Sequence, residues 1–261
     1  MLLKQRVCKM KFVSIVIPVY NGAKMLEDCI RLINAEIEAY LNQNYEIIIA
    51  EDASSDGTTE IAEKLAKNDQ RIVHLHSPVK QGRGKALSKA FHKAKGDIII
   101  YLDVDLDISP KHIPIFVEYL KNEYDIVLAS KRHPDSKVNS PILRKILSIT
   151  YNKMIRFLFK SKIYCHQGGM KGFKKESILK ILPFVKNNKW FWDTEILIIA
   201  QWMKYKLKEI PITCDYGFVG TTVNSFRDAY DMFLEAMKFK KGEKILKKKI
   251  TEKSSINLLQ D

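Results

Sequence analysis

Three aspartates on alternate positions, Asp103, Asp105 and Asp107, follow directly after a hydrophobic run. The run at residues 98–101 is typical of a strand buried on both faces, because β-branched residues occur in it without alternation. Grouped carboxylates repel one another, and such a group is stable where a positive charge offsets the repulsion. Mg²⁺ and Mn²⁺ prefer oxygen ligands and are commonly bound by carboxylates together with substrate phosphates. The acids therefore favour a site for a divalent cation and a diphosphate; a solvated strand end is the alternative.

Strand and helix signals alternate along the first half of the chain, and this order determines where the three acids would lie. Strands are expected at residues 12–19, 45–50, 71–76, 97–102 and 124–130, with helices at 23–41, 58–67, 84–95 and after Pro110. Repeated βα units predict an α/β fold with a mainly parallel sheet flanked by helices. In such folds ligands bind beyond the carboxyl ends of the strands. We therefore expect the segments PVYNG, EDASSDGT, KQGRGK and DVDLD to converge on one rim.

Basic residues follow two of the same strands and could neutralise a bound diphosphate. Arg83 and Lys85 lie in QGRGKA at a predicted helix start, where backbone N–H groups and the helix dipole favour an anion. Lys131 and Arg132 lie in SKR after the fifth strand. The spacing of a P-loop, GxxxxGK followed by Ser or Thr, is absent. These residues indicate another kind of anion site; a glycine turn and solvated surface charges are the alternatives.

The overall charge favours an anionic partner, because the 261 residues include 44 Lys and Arg against 30 Asp and Glu, a formal +14. Nucleic acid is disfavoured, since the aromatic residues are not interleaved with the basic ones and the rim acids would repel a phosphate backbone. The four cysteines show no zinc or disulfide spacing. No apolar run approaches the ~20 residues that span a bilayer. We expect a cytoplasmic protein that is soluble or lies on a membrane surface.

The second half contains a basic amphipathic segment at residues 141–160, which has five basic residues and no acid. On a helix, one face would carry Leu143, Leu147, Thr150, Met154 and Leu158, and the other Lys145, Asn152, Lys153, Arg156 and Lys160. Such a helix can lie on an anionic membrane; a core helix with an exposed charged face is the alternative. We expect a catalytic domain at residues 1–225, including this interface helix. A basic C-terminal helix and tail at 226–261 would also contact the membrane peripherally.

Six blocks of the sequence occur in the order and approximate spacing of family 2 glycosyltransferases. They are IVIPVYNG, EDASSDGT, KQGRGKALSKAFHKAKGDIIIYLDVDLD, ASKR, HQGGMKGFKKE and WFWDTEILIIA. Over roughly residues 12–225 the chain most resembles the dolichyl-phosphate or polyprenyl-phosphate sugar transferases of that family. The resemblance implies a GT-A fold and an inverting, Mg²⁺- or Mn²⁺-dependent transfer of a hexose from a UDP- or GDP-sugar to a dolichyl or polyprenyl phosphate. It also implies a position on the cytoplasmic face of a membrane, with a separate membrane-anchor subunit as an option.

The resemblance also implies roles for individual residues. The residues expected to bind the nucleotide sugar are Pro18, Tyr20, Asp52, Lys85, Asp103, Asp105, Arg132 and Glu195. The expected metal ligands are Asp105, Asp107 and Asp103. The expected catalytic residues are Asp105, Arg132 and Asp193, and the expected contacts to the acceptor phosphate are Arg144, Gln167 and Lys171.

Some positions depart from the family pattern. Glu51 stands where the family usually has Asp, Asp107 stands where mannosyl members have Gln, and GTTVNS stands where a GSK motif is expected. The block QGGMKGF is closer to the glucosyl type. A lipid phosphate already carries a nucleophilic oxygen, so Asp193 would serve as a base only for a hydroxyl acceptor. Transfer to a polysaccharide or protein hydroxyl is therefore the alternative activity, and nucleic-acid binding is the alternative from another class.

Overall fold

The computed structural model describes residues 12–215 and 225–257. The first part contains β1 (Val13–Val19), α1 (Ala23–Leu41), β2 (Tyr45–Asp52), α2 (Thr58–Asn68), β3 (Ile72–Ser77), α3 (Arg83–Lys93), β4 (Ile98–Leu102), α4 (Ile113–Asn122) and β5 (Ile126–Ala129). It continues with β6 (Lys137–Asn139), α5 (Ile142–Phe159), β7 (Met170–Lys174), α6 (Lys175–Ile181), α7 (Trp192–Trp202), β8 (Leu207–Ile210), β9 (Thr213–Asp215) and α8 (Ser225–Asn257). Most of the GTTVNS segment lies outside the described residues.

A seven-stranded sheet in the order β3-β2-β1-β4-β7-β5-β8 forms the centre of the fold. Strands β1 to β4 pair in parallel, and β5 pairs in parallel with β8, so the predicted α/β architecture is confirmed. Strand β7 runs antiparallel between β4 and β5, which the sequence did not predict. Its residues, MKGFK, combine a buried lysine with a glycine and lack the β-branched run of the other central strands. Two short strands, β6 and β9, form a second sheet.

Helices cover both faces of the sheet and bury its β-branched residues. One core contains Val13, Ile15 and Ile17 of β1 together with side chains of α1, α2 and α4. The other contains Val16 of β1 with side chains of α3, α6 and α7. Because both faces are covered, β1 is buried along its whole length without a polar side. Each fully buried aliphatic side chain contributes roughly 1.5–3 kcal/mol to folding.

Helix α5 confirms the predicted helix at 141–160, but the two faces expected for it are partly wrong. Asn152, expected on the charged face, is buried, and its side chain accepts a hydrogen bond from the His166 backbone N–H at 2.8 Å. Ile155 and Phe159 also face inward, whereas Ile146 is 54% and Phe157 85% exposed. The helical period of the sequence identifies residues that share a face of α5. Which face is buried depends on packing against α7 and α8, which the period does not predict. The exposed surface of α5 is therefore more apolar than expected.

Helix α8 packs on α5 and α7 through aromatic side chains. Phe239 of α8 lies against Phe159 of α5 and Trp202 of α7, with ring centroids 5.4 Å apart in both pairs. Among the described residues, no helix combines the length and apolar composition needed to span a bilayer.

The close contact between α3 and α7 depends on Gly84, and a substitution there tests this contact. A Cβ at Gly84 would lie 2.6 Å from Cβ and Cγ of the buried Trp192. We expect Gly84→Ala to lower the free energy of unfolding by about 1–3 kcal/mol, as over-packing does in a close-packed core. Urea unfolding of both proteins measures this difference.

Gly242→Ala on α8 is the matched control, because a Cβ there has no atom of the described residues within 4 Å, apart from its chain neighbours and its own helix backbone. Alanine in an open helical position should stabilise the protein slightly. Equal effects of the two substitutions would contradict the close α3–α7 contact.

Candidate active site

The loops that follow the parallel strands meet at one rim, as the sequence predicted. The backbone N–H of Asn21, after β1, donates to Ser54 Oγ after β2 at 3.0 Å. The N–H groups of Gln81 and Gly82, after β3, donate to the Asp52 carboxylate at 2.8 and 2.7 Å. These hydrogen bonds join three loops before any ligand is considered. The Asp52 carboxylate thereby fixes the start of the segment that leads into α3.

Three further residues expected to bind the nucleotide sugar lie on these elements. Pro18 is buried in β1, where it pairs with Ala50 of β2. Tyr20 follows β1 with an exposed ring, and Lys80 Nζ lies 3.4 Å from the centre of that ring. Lys85 is exposed in the first turn of α3. Their contact with a nucleotide stays a prediction.

Arg83 joins two carboxylates that are distant in the sequence. Its Nε and Nη2 donate to Asp103 Oδ1 at 3.1 and 2.6 Å, and its Nη1 donates to Asp193 Oδ2 at 2.7 Å. The sequence indicated Arg83 as a group that could face a bound anion, but its partners in the structure are protein carboxylates. Such charge-assisted hydrogen bonds are short and strongly oriented. The guanidinium therefore holds Asp103, the first of the three acids after β4, against α7.

Asp193 is enclosed by positive and hydrogen-bonding groups. Lys171 Nζ donates to Asp193 Oδ1 at 2.8 Å, to Tyr101 Oη at 2.8 Å and to the Gly168 carbonyl at 2.7 Å. The Tyr101 hydroxyl also donates to Asp193. Burial opposes ionisation of Asp193, but Lys171 and Arg83 hold its pKa below the ordinary value. The carboxylate is therefore a weak base.

The buried position of Lys171 bears on its expected contact with an acceptor phosphate. Its side chain is 1% exposed, and the three hydrogen bonds above use the donors of its ammonium group. Contact with a phosphate would require this group to leave Asp193. In this structure Lys171 instead positions Asp193, and no local sequence pattern indicated that pairing.

Asp105 and Asp107 lie in a different electrostatic environment from Asp103 and Asp193. Desolvation and the nearby Asp103 carboxylate raise the pKa of Asp105. Desolvation and the Asp105 carboxylate raise the pKa of Asp107 to about 6. Lys131 and Arg144 act in the opposite direction on both acids without cancelling the shift. The loop therefore contains two carboxylates whose negative charge the protein compensates incompletely.

The remaining expected contacts lie around this rim. Arg132 Nη2 donates to Ser148 Oγ at 3.5 Å, while its buried Nε has no hydrogen-bond partner within residues 12–215 and 225–257. Gln167 Nε2 donates to Thr194 Oγ1 at 2.8 Å. These are internal contacts, so a phosphate contact of Gln167 stays a prediction. The orphaned Nε of Arg132 is a donor that a bound phosphate could satisfy.

Glu195 was expected to face the donor sugar, and in the structure its carboxylate supports a loop. It accepts hydrogen bonds from the backbone N–H groups of Lys186 and Asn187, the latter at 2.8 Å. Burial raises the pKa of Glu195. The carbonyl of Asn188, in the same loop, accepts from the Lys85 N–H at 3.3 Å. Glu195 thus fixes the loop that closes over the start of α3.

The donor atoms of the acid loop fit a hard divalent cation. The side chains of Asp103, Asp105 and Asp107 offer carboxylate oxygens, which are the ligands that Mg²⁺ and Mn²⁺ prefer. The pKa values of Asp105 and Asp107 are raised, so their ionised forms lack compensating positive charge. A cation bound between them would stabilise these ionised forms.

Comparison with solved structures shows that the fold is GT-A. The mannosyltransferase PcManGT from Pyrobaculum calidifontis, in complex with GDP-Man and Mn²⁺, superposes with a TM-score of 0.60 at 19% sequence identity. The match covers 87% of this chain and 64% of that one.

The chain belongs to glycosyl transferase family 2, since the model of that family matches residues 14–182. Glycosyltransferase AglD of Haloferax volcanii is 39% identical over 223 residues, covering 84% of this chain and 35% of that protein. Dolichyl-phosphate beta-glucosyltransferase ALG5A of Trichomonas vaginalis is 28% identical over 212 residues, covering 77% and 65%. The chain thus spans from about a third to under two thirds of these relatives. The predicted family membership and fold are confirmed.

Proposed function

We propose that the chain transfers a hexose from a UDP- or GDP-sugar to a dolichyl or polyprenyl phosphate at a membrane surface, with inversion at the anomeric carbon. The observation that carries the proposal is the unequal charge balance of the rim acids. Asp103 is paired with Arg83, whereas Asp105 and Asp107 have raised pKa values. Acids in that state favour a cation bound together with a diphosphate. The name of the Trichomonas relative, a dolichyl-phosphate beta-glucosyltransferase, supports the lipid acceptor.

In this proposal Asp105 and Asp107, with Asp103 beside them, bind Mg²⁺ or Mn²⁺. When bound, such an ion offsets the negative charge of a departing nucleoside diphosphate. Arg132 contributes to the same task, because its buried Nε lacks a partner among the described residues and a phosphate oxygen could accept from it. Lys131 and Arg144 interact electrostatically with both acids, and we propose that they also contact the phosphates.

The lowered pKa and the two ion pairs of Asp193 favour a phosphate acceptor over a hydroxyl acceptor. A sugar or protein hydroxyl needs a general base, and a base must be able to accept a proton near neutral pH. The lowered pKa of Asp193 and its bonds to Arg83 and Lys171 make it unsuited to that role. A lipid phosphate supplies its own nucleophilic oxygen. We therefore assign Asp193 to positioning Arg83 and the donor sugar.

The exposed face of α5 supports peripheral contact with a membrane. Ile142, Ile146 and Phe157 lie at helical spacing on this face and are exposed, and Lys153 lies among them. Exposed apolar side chains combined with lysines are typical of helices that lie in the headgroup region of an anionic bilayer. Helix α8 adds exposed lysines beside α5. We propose that this side of the catalytic domain faces the cytoplasmic surface of a membrane, with residues 226–261 as its basic extension.

A transfer assay tests the proposed reaction. Purified protein is incubated with Mg²⁺ or Mn²⁺, dolichyl phosphate and a panel of UDP- and GDP-sugars, and labelled sugar is counted in the organic phase. We expect product with one donor and a loss of about 100-fold or more in Asp105→Ala, because stabilising the charge of the leaving diphosphate contributes strongly to the rate.

Asp97→Ala is the control for that assay, because Asp97 is an exposed acid outside the loop. Unchanged transfer by Asp105→Ala would refute the metal role of this acid. Transfer to a free sugar or peptide hydroxyl without lipid phosphate would favour the alternative acceptor.

Sedimentation with vesicles of phosphatidylcholine and phosphatidylserine tests the membrane contact. We expect Ile146→Glu with Phe157→Glu to reduce the bound fraction several-fold, since both changes place charge in the apolar face. Ile115→Glu on α4 is the control, because Ile115 is also exposed but lies on another helix. Equal binding of the wild type, the double variant and Ile115→Glu would contradict a contact of α5 with the membrane.

A further inference from the structure

A cluster of two histidines and a carboxylate lies at the ends of β2 and β3, outside the site described above. Glu51 at the end of β2 pairs in register with His76 of β3, and Ile49 pairs with His74. Residues two apart on a strand point to the same face of the sheet. Glu51, His74 and His76 therefore share one face, whereas Asp52, the next residue, points to the other and binds the amides of Gln81 and Gly82.

The three side chains bring their ligand atoms close together. One nitrogen or oxygen from each of Glu51, His74 and His76 lies within 4.8 Å of the others. His76 Nδ1 is 2.5 Å and His74 Nε2 is 4.0 Å from Glu51 Oε2. The other oxygen of Glu51 accepts a hydrogen bond from the Ser54 backbone N–H, which orients the carboxylate. The Glu51 side chain is fully buried.

His74 supplies a second observation that points to a ligand. Its side chain is only 9% exposed, and its Nε2 is buried without a hydrogen-bond partner among the residues that the structure describes. A buried polar atom without a partner is costly, and native proteins rarely contain one without a reason. A buried ring nitrogen without a partner, 4.0 Å from a buried carboxylate oxygen, is an arrangement that a metal ion would satisfy.

We propose that Glu51, His74 and His76 bind a transition-metal ion of the Zn²⁺ type, separate from the Mg²⁺ or Mn²⁺ of the acid loop. Imidazole nitrogens favour zinc and related metals, whereas the all-oxygen acid loop favours hard cations. Zn–N and Zn–O bonds of about 2.1 Å in a tetrahedral site place ligand atoms about 3.4 Å apart. Rotation of the partly exposed His76 side chain would open its present 2.5 Å contact toward that separation. Because His76 is the exposed member, water would occupy the fourth position.

The ion would join the ends of β2 and β3. Asp52 ends β2, and it binds the backbone amides of Gln81 and Gly82 in the loop that follows β3. These hydrogen bonds fix the start of α3, where Arg83 lies. The ion would thus stabilise the support of the rim rather than take part in transfer. A ligand that binds only the folded chain raises its thermal stability by mass action.

The 261-residue protein is treated with chelator and titrated with Co²⁺, whose visible absorption reports a low-symmetry site of nitrogen and oxygen ligands. The bound Co²⁺ is then displaced with Zn²⁺. We expect one equivalent of Co²⁺ to give the band, Zn²⁺ to remove it, and Zn²⁺ to raise the melting temperature. His76→Ala should weaken binding at least about tenfold and abolish the thermal shift, since a ligand is lost. His76→Ala is the variant of choice because the His76 side chain is partly exposed, whereas replacing the buried His74 would also disturb the core.

Two controls separate this site from others on the chain. His92→Ala removes an exposed histidine of α3 outside the cluster and should leave Co²⁺ binding unchanged. Asp105→Ala should also retain it, although that variant is expected to lose transfer. Binding that survives His76→Ala, that disappears in Asp105→Ala, or that never saturates at one equivalent would overturn the proposal. Because the readout is metal binding, failure of the transfer assay would not affect this result.

Discussion

The ion pairs of Arg83 with Asp103 and Asp193 are the contact on which the rest of the rim depends. Arg83 begins α3, Asp103 follows β4 and Asp193 lies in α7, so one guanidinium joins three elements of the fold. Lys171 of β7 supports the same arrangement from the far side of Asp193. Removing one partner of a buried charged pair is costly, because the other charge is left unpaired. These contacts therefore hold Asp103 and Asp193 in a fixed relation before substrate arrives.

The same contacts divide the acids into two groups. Asp103 and Asp193 receive their counter-charge from the protein, whereas Asp105 and Asp107 receive too little to offset desolvation and mutual repulsion. We propose that the first group mainly fixes the rim and that the second supplies most of the charge that binds a cation. This division also explains why Asp193 is a poor base. The proposed phosphate acceptor, which needs no base, is consistent with this property of Asp193.

Local sequence patterns predicted most of the strands and helices. The features that they missed depend on contacts between residues that are distant in the sequence. The β-branched runs of β1, β2 and β4 show their strands directly, and the loops after them identify the rim. Lys171 gave no signal for an internal role, because a lysine in a glycine-rich segment such as GGMKG is typical of exposed chain. Its burial depends on Asp193, which only the folded sheet brings near. In α5, the period predicted a helix, but contact with α8 decided which side was buried.

We propose that Asp105 and Asp107 lack sufficient counter-charge until a cation binds. For Asp107, a folded-state pKa of about 6 lies above the ordinary 3.8, so the folded state binds the proton more tightly than the unfolded state. Stability should then fall as pH rises from about 4 to 6, and the full penalty should be present above that range.

Urea unfolding of the wild type and Asp107→Asn from pH 4 to 8, first with chelator and then with Mn²⁺ and UDP, tests this claim most directly. With chelator, we expect the variant to be the more stable protein at pH 7.5, with the advantage lost toward pH 4. With Mn²⁺ and UDP, the wild type should become the more stable protein, because only the wild type retains both Asp105 and Asp107 as metal ligands. A variant that is no more stable than the wild type at pH 7.5 with chelator would contradict the account.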